Sequence, residues 1–184
     1  MHELILGGQK SGKSRCAEQR AADWLERSET REATLIATAL PGDPEMQQRI
    51  ARHQADRLRR VPRMATLEVP YALPQALREY SSPRRLLVVD CLTLWLTQLR
   101  MPLTGPALGE AAWLARQAAL CDALRAAPGP VVLVSNEISF GLAPMSREAR
   151  QFIDALGVLH QRVAVACERV TLMVAGIEMP VKRP

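Results

Sequence analysis

Aromatic residues are scarce: two Tyr, two Phe and three Trp make up 4% of the 184 residues. Surfaces that stack single-stranded bases need aromatic platforms. The composition therefore argues against nucleic acid as the main partner, even though Lys plus Arg outnumber Asp plus Glu by 24 to 19. Lysine is scarce too. Lys10, Lys13 and Lys182 are the only three, and every other basic residue is arginine, whose planar fork grips phosphate in two places. Phosphorylated small molecules account for that charge at least as well as nucleic acid, and so does a coding bias that scatters Arg over solvated faces. Cys16, Cys91, Cys121 and Cys167 lie far apart with no C-x-x-C pair. They read as core or helix residues in a reducing cytoplasm, not as a disulfide frame or zinc site. Long apolar runs are missing. Leu86–Val89 and Val131–Val134 are of strand length, far short of the about 20 residues a membrane helix needs. Met1-His2-Glu3 is not the basic start of a signal peptide. The expectation is a cytoplasmic protein with no membrane span.

What the chain does have is a complete phosphate loop. Gly7, Gly8, Gln9, Lys10, Ser11, Gly12, Lys13 and Ser14 spell G-x-x-x-x-G-K-[ST]. Glu3–Leu6 is a short apolar strand leading into it, and Ser14–Arg20 has helix-forming composition without Gly or Pro. Strand, glycine turn and helix N-terminus together make an anion site, because the first turn's free N–H groups and the helix dipole both favour phosphate. The spacing predicts a nucleoside triphosphate (ATP, GTP or both), with Lys13 on the outer phosphates and the Ser14 hydroxyl on Mg²⁺. Lys13 is expected to face solvent until phosphate balances its charge.

Five apolar runs stand too far apart for hairpins: Glu3–Leu6, Thr34–Thr38, Arg85–Asp90, Val131–Ser135 and Thr171–Ala175. Helical segments lie around them at Lys13–Arg27, Asp43–Arg60, Cys91–Arg100, Ala107–Ala126 and Ser146–Cys167. Alternation of this kind predicts an α/β fold, a mostly parallel sheet with helices on both faces. No linker or internal repeat divides the chain, so residues 1–184 read as one domain.

Binding groups in such sheets gather at the carboxyl ends of the strands. Those ends carry the phosphate loop, Thr38, Asp90, Ser135-Asn136-Glu137 and Gly176. Leu86–Asp90 has the form of a Walker B strand, whose Asp holds Mg²⁺ directly or through water. Glu137 offers a second carboxylate for metal, ribose or substrate, or simply a loop carboxylate. After the second run, Met46, Ile50, His53 and Arg57 share one helix face. His53 beside arginines is a candidate nucleophile on phosphorus or general acid/base, and equally a half-buried helix histidine.

These residues carry a resemblance. The phosphate loop, Leu35–Ala39, Asp43-x-Glu45-Met46-x-x-Arg49-Ile50-x-x-His53, Thr66-x-Glu68-x-Pro70, Val89–Leu96, Val134–Glu137 and Val174–Ile177 stand in order along nearly the whole chain. Together they resemble the bifunctional adenosylcobinamide kinase/adenosylcobinamide-phosphate guanylyltransferase family of cobalamin biosynthesis. The resemblance implies a RecA-like P-loop fold assembled as a homotrimer. It also implies two reactions: phosphorylation of adenosylcobinamide, then transfer of GMP from GTP to that phosphate through a guanylylated histidine, matched here by His53. By the same resemblance Arg49 and Arg57 would bring positive charge to His53, and Thr38 and Glu68 join the nucleotide-binding set. Met64 stands where the family commonly has Trp, Ser139 where it has Gly, and Ile153 and His160 where Arg and Asn are frequent. His160 reads as a helix-surface residue. A P-loop kinase lacking the second activity and a RecA-like nucleic-acid ATPase are the alternatives.

Overall fold

The structure, a computed structural model, describes residues 1–184. In chain order the elements are β1 (His2–Gly7), α1 (Lys13–Glu26), β2 (Glu32–Ala37), α2 (Pro44–Arg60), β3 (Met64–Glu68), α3 (Leu73–Tyr80), β4 (Arg85–Asp90), α4 (Leu92–Arg100), α5 (Glu110–Ala126), β5 (Val131–Asn136), α6 (Arg147–Ala166), β6 (Arg169–Val174) and β7 (Ile177–Lys182). Seven strands form one sheet in the order β3-β2-β4-β5-β1-β6-β7, and only β7 runs antiparallel to its neighbour. β5 lies between the strand carrying the phosphate loop and the strand ending in Asp90, the arrangement of a RecA-like P-loop sheet. No helix is long and apolar enough to cross a membrane.

Alternate side chains of the central strands enter two cores, as the period of two requires. Leu4, Val89 and Leu133 join α3, α4, α5 and α6 on one face, where Trp95 and Trp113 pack at 5.5 Å between ring centroids. Ile5, Val88 and Val134 meet Cys16, Ala17, Ala21 and Leu25 of α1 on the other. All four cysteines are free and buried. Two of the helices start on oxygen caps: Asp43 accepts from the Met46 N–H at 2.7 Å, and Ser146 from that of Ala149 at 3.1 Å.

α1 is tied to the sheet by charge as well as by packing. Glu3, 2% exposed, accepts Arg20 Nε at 2.9 Å and the Thr171 hydroxyl at 2.7 Å, and Arg20 also bonds Glu178 on β7. Removing one partner of such a pair strands the other, so Arg20→Ala should cost about 3 kcal/mol or more. Replacing Glu3 and Arg20 together by Met should cost less than Arg20→Ala alone. Urea unfolding of the two variants checks this ordering.

Candidate active site

The phosphate loop is shaped by glycine at two points. Gly12 caps α1 with φ of 101°, a conformation open to Gly at little cost. A Cβ on Gly7 would lie 2.6 Å from both the Met173 carbonyl oxygen and Ser11 Oγ, so no other residue fits there. Behind the loop, Ala175 and Gly176 form the two-residue turn between β6 and β7, both at positive φ (51° and 81°) as a type I′ hairpin requires. The Gly176 N–H donates to the Ser11 carbonyl at 3.0 Å. The hairpin thus braces the loop, while Gly8, Gln9 and Lys10 stay exposed at its lip and Ser14 is half-buried in the first turn of α1.

Lys13 differs from the sequence expectation. It is buried, not solvent-facing, and its ammonium folds back to donate to the Gly8 carbonyl at 2.6 Å. Burial holds it below the ordinary lysine value; Cys91 and Asp90 oppose that shift and Arg49 reinforces it. Asp90, at the end of β4, and Arg49, on α2, are thus charges felt at this ammonium. Thr38 also differs. It is fully buried, accepting the Cys91 N–H at 2.8 Å and donating to the Cys91 carbonyl at 2.7 Å, which leaves its hydroxyl no part in contacting a nucleotide. It fixes the chain just past Asp90 instead. Burial pushes the Cys91 thiol up to about 12 and keeps it inert.

Glu137 leaves β5 with its N–H bonded to the Gly7 carbonyl at 2.9 Å, which ties this carboxylate's backbone to the start of the phosphate loop. Its Oε1 accepts the Ser139 N–H at 2.7 Å and the Ser139 hydroxyl, and His160 Nδ1 lies 3.7 Å from Oε2. These contacts outweigh desolvation and hold the Glu137 carboxyl below its usual range. His160 is not on the surface. It is 7% exposed, in the core-facing stripe with Leu156, Leu159 and Val163, and Nε2 lies 2.7 Å from Ser135 Oγ. Sequence reading missed Thr93, Ser135 and His160 as a group. The signal was the position of His160 in the apolar stripe of α6, three residues before Val163 and four after Leu156.

Burial pushes His160 below the ordinary histidine value of 6.5, with Glu137 opposing; burial and the adjacent N-terminus do the same to His2. Both rings are therefore held neutral in the fold. As pH falls through 6.5 the unfolded chain takes up protons first, so stability is full above that value and declines below it. Urea midpoints should be lower at about pH 5.5 than at about pH 7.5, and His160→Asn should shrink the difference.

The shared face of α2 is its more buried one: Met46, Ile50 and His53 are half-buried and Arg57 is buried. It is anchored at its carboxyl end, by Arg60 to Glu18 of α1 at 2.8 Å and by Arg57 to the Thr66 hydroxyl at 3.4 Å. Arg57 therefore serves β3, whereas exposed Arg49 acts on Lys13. Glu68 is exposed at the end of β3, paired in register with Ala37. Four strand spacings separate it from β1, about 19 Å across the sheet. Asp90 stands two strands from β1, about 10 Å. The geometry gathers the loop, Asp90 and Glu137, with Arg49 acting on Lys13 by charge, and leaves Glu68 apart.

Comparison with known proteins gives the same picture. The family described as cobinamide kinase / cobinamide phosphate guanyltransferase matches residues 3–181. The bifunctional adenosylcobalamin biosynthesis protein CobP of Pseudomonas aeruginosa is 45% identical over 183 residues, covering 99% of this chain and 98% of its own. The CobU proteins of Escherichia coli and Salmonella typhimurium are each 33% identical over 187 residues, covering 97% of this chain and 98% of theirs. With the whole sheet, the phosphate loop and the α2 motif inside the matched residues but for the outermost residue at each end, the chain belongs to the cobinamide kinase / cobinamide phosphate guanyltransferase family.

Proposed function

We propose that this protein phosphorylates adenosylcobinamide with a nucleoside triphosphate. It then transfers GMP from GTP to the new phosphate through a guanylylated His53, yielding adenosylcobinamide-GDP. The observation that carries the reading is Lys13: an ammonium buried against the phosphate loop, with Asp90 and Arg49 acting on its charge. In this reading the backbone of Gly7–Ser14 cradles the triphosphate and Lys13 swings from the Gly8 carbonyl onto its outer phosphates. Asp90 and Ser14 supply hard oxygens of the kind Mg²⁺ takes, and no cluster of three or more His, Cys, Asp or Glu side chains stands ready for a more demanding metal. Asp90 lies close enough to the loop to act on Lys13, which suits a cation shared between protein and phosphate. Mg²⁺ there would neutralise charge on the phosphates.

Arg49 adds positive charge that is felt at Lys13. Glu137, clamped beside Gly7, is assigned to the substrate hydroxyl, accepting its proton as the oxygen attacks the γ-phosphorus and the nucleoside diphosphate leaves. For the second reaction a His53 ring nitrogen attacks the α-phosphorus of GTP and expels pyrophosphate. The corrinoid phosphate then attacks the same phosphorus and the P–N bond breaks. The chain acts as one domain, in the cytoplasm and as a homotrimer, the assembly that the family resemblance implies. Incubation with GTP labelled at the α-phosphate tests the scheme. Label is expected on the protein first and on the corrinoid after adenosylcobinamide is added. Phosphorylated corrinoid without labelled protein would leave a kinase alone, and no phosphorylated corrinoid would remove the loop's assigned role.

A further inference from the structure

A polar chain crosses the core beneath the site, from α4 through β5 to α6. A buried imidazole in an apolar stripe is costly unless its nitrogens are satisfied. Here the Glu137 carboxylate at one end also sets the direction of the protons. The Asn136 N–H donates to Thr93 Oγ1 at 2.8 Å, and Ser135 Oγ lies 3.1 Å from that hydroxyl. His160 Nε2 lies 2.7 Å from Ser135 Oγ. Thr93 therefore donates to Ser135 and Ser135 to Nε2, because the ring proton must sit on Nδ1: a lone pair facing Glu137 Oε2 would be repelled. At 3.7 Å this last contact is an ion–dipole attraction, longer than a hydrogen bond. The opposite oxygen of Glu137 is taken by Ser139. The carboxylate is thus held from two sides.

The order Ser135–His160–Glu137 is not that of a hydrolytic triad at work. Ser135 is fully buried, so no substrate carbonyl can reach its Oγ. The protons run toward Glu137, and the only carboxylate they can orient is the one whose backbone bonds the phosphate loop at Gly7.

We infer that His160 is a positioning residue for the kinase step: braced by Ser135 and Thr93, it aims the Glu137 carboxylate at the substrate hydroxyl. The inference rests on the assignment of Glu137 made above. Glu137→Gln should lower kcat of corrinoid phosphorylation about 10²-fold, as loss of a general base does. His160→Ala should lower kcat about tenfold and leave KM for the nucleotide unchanged, since it loosens the aim of the base and leaves every group that binds the nucleotide in place. His160→Asn, whose amide N–H can face Glu137 again, should recover to within about threefold of the parent. In a Glu137→Gln background His160→Ala should cost nothing further, the non-additivity expected of residues acting as a unit.

Parent kcat in His160→Ala beside an impaired Glu137→Gln overturns the inference, as do losses that multiply in the double variant. Parent kcat in Glu137→Gln overturns the assignment of Glu137 itself, whatever His160 does. Should His160→Ala fail to fold, Ser135→Ala carries the same cycle. It should lower kcat in the parent background and not in Glu137→Gln, and any other result counts against the chain.

Discussion

Lys13→Ala should lose phosphoryl transfer by a factor of about 10²–10³ while the protein folds as well as its parent. The activity loss follows from the chemistry of the γ-phosphoryl group, whose charge is spread over its oxygens in the transition state and must be met by groups already in place. Lys13 is such a group, held 2.6 Å from the Gly8 carbonyl at the mouth of the loop. The retained stability follows from its burial. Desolvation dominates the environment of this ammonium and Arg49 adds repulsion, which the Asp90 carboxylate offsets only in part, Cys91 being a neutral thiol. The folded state gains little from keeping the charge, and Ala at the first position of α1 favours the helix. Thermal unfolding at or above the parent midpoint, measured with steady-state kinetics on the same preparation, is the expected result. A variant that phosphorylates adenosylcobinamide at the parent rate would remove the loop from the kinase reaction. One that unfolds early would mean that the lysine holds the loop together.

The central strands were legible in the sequence because they are buried on both faces. Leu86–Val89 and Val131–Val134 are unbroken apolar runs. The two strands that went unread, β3 and β7, are the edges of the sheet. All six residues of β7 are exposed, and Pro180 within it is a residue that only an edge strand accepts. β3 has a single buried residue, Met64. α3 was also missed, since eight residues opening on Leu73-Pro74 are too few to establish a helical period. The phosphate loop could be read outright because its function is written in backbone geometry, and that geometry demands glycine at Gly7 and Gly12. Side-chain partners were less accessible. Thr38 looked like a ligand-facing residue at a strand end, but Cys91 lies beside it through the pairing of β2 with β4. His160 looked like a surface residue because a histidine in isolation says nothing of the serine 25 positions earlier that bonds it.

His53→Asn should abolish the covalent GMP adduct and guanylyl transfer, and leave corrinoid phosphorylation largely intact. The separation is written in the architecture. His53 lies on α2, whose anchors are Arg60 on Glu18 and Arg57 on Thr66, both at its carboxyl end and neither among the loop residues. Nothing in the loop, in Asp90 or in the Glu137 clamp depends on the imidazole, so the kinase machinery stays assembled without it. His53 is only half-buried, so an amide of smaller size should fit without loss of stability. The nucleophile itself has no substitute. An asparagine amide cannot form the P–N bond that divides GMP transfer into two displacements. Parent protein incubated with α-labelled GTP should carry a label that acid removes and alkali does not, as a phosphoramidate requires, and the variant should carry none. The double readout makes the result decisive. Loss of label with kinase activity preserved assigns the guanylyl intermediate to His53. Acid-labile GMP persisting on His53→Asn would move the nucleophile elsewhere. Buried His160, with Nε2 turned to Ser135 and Nδ1 to Glu137, is in no position to take over that role.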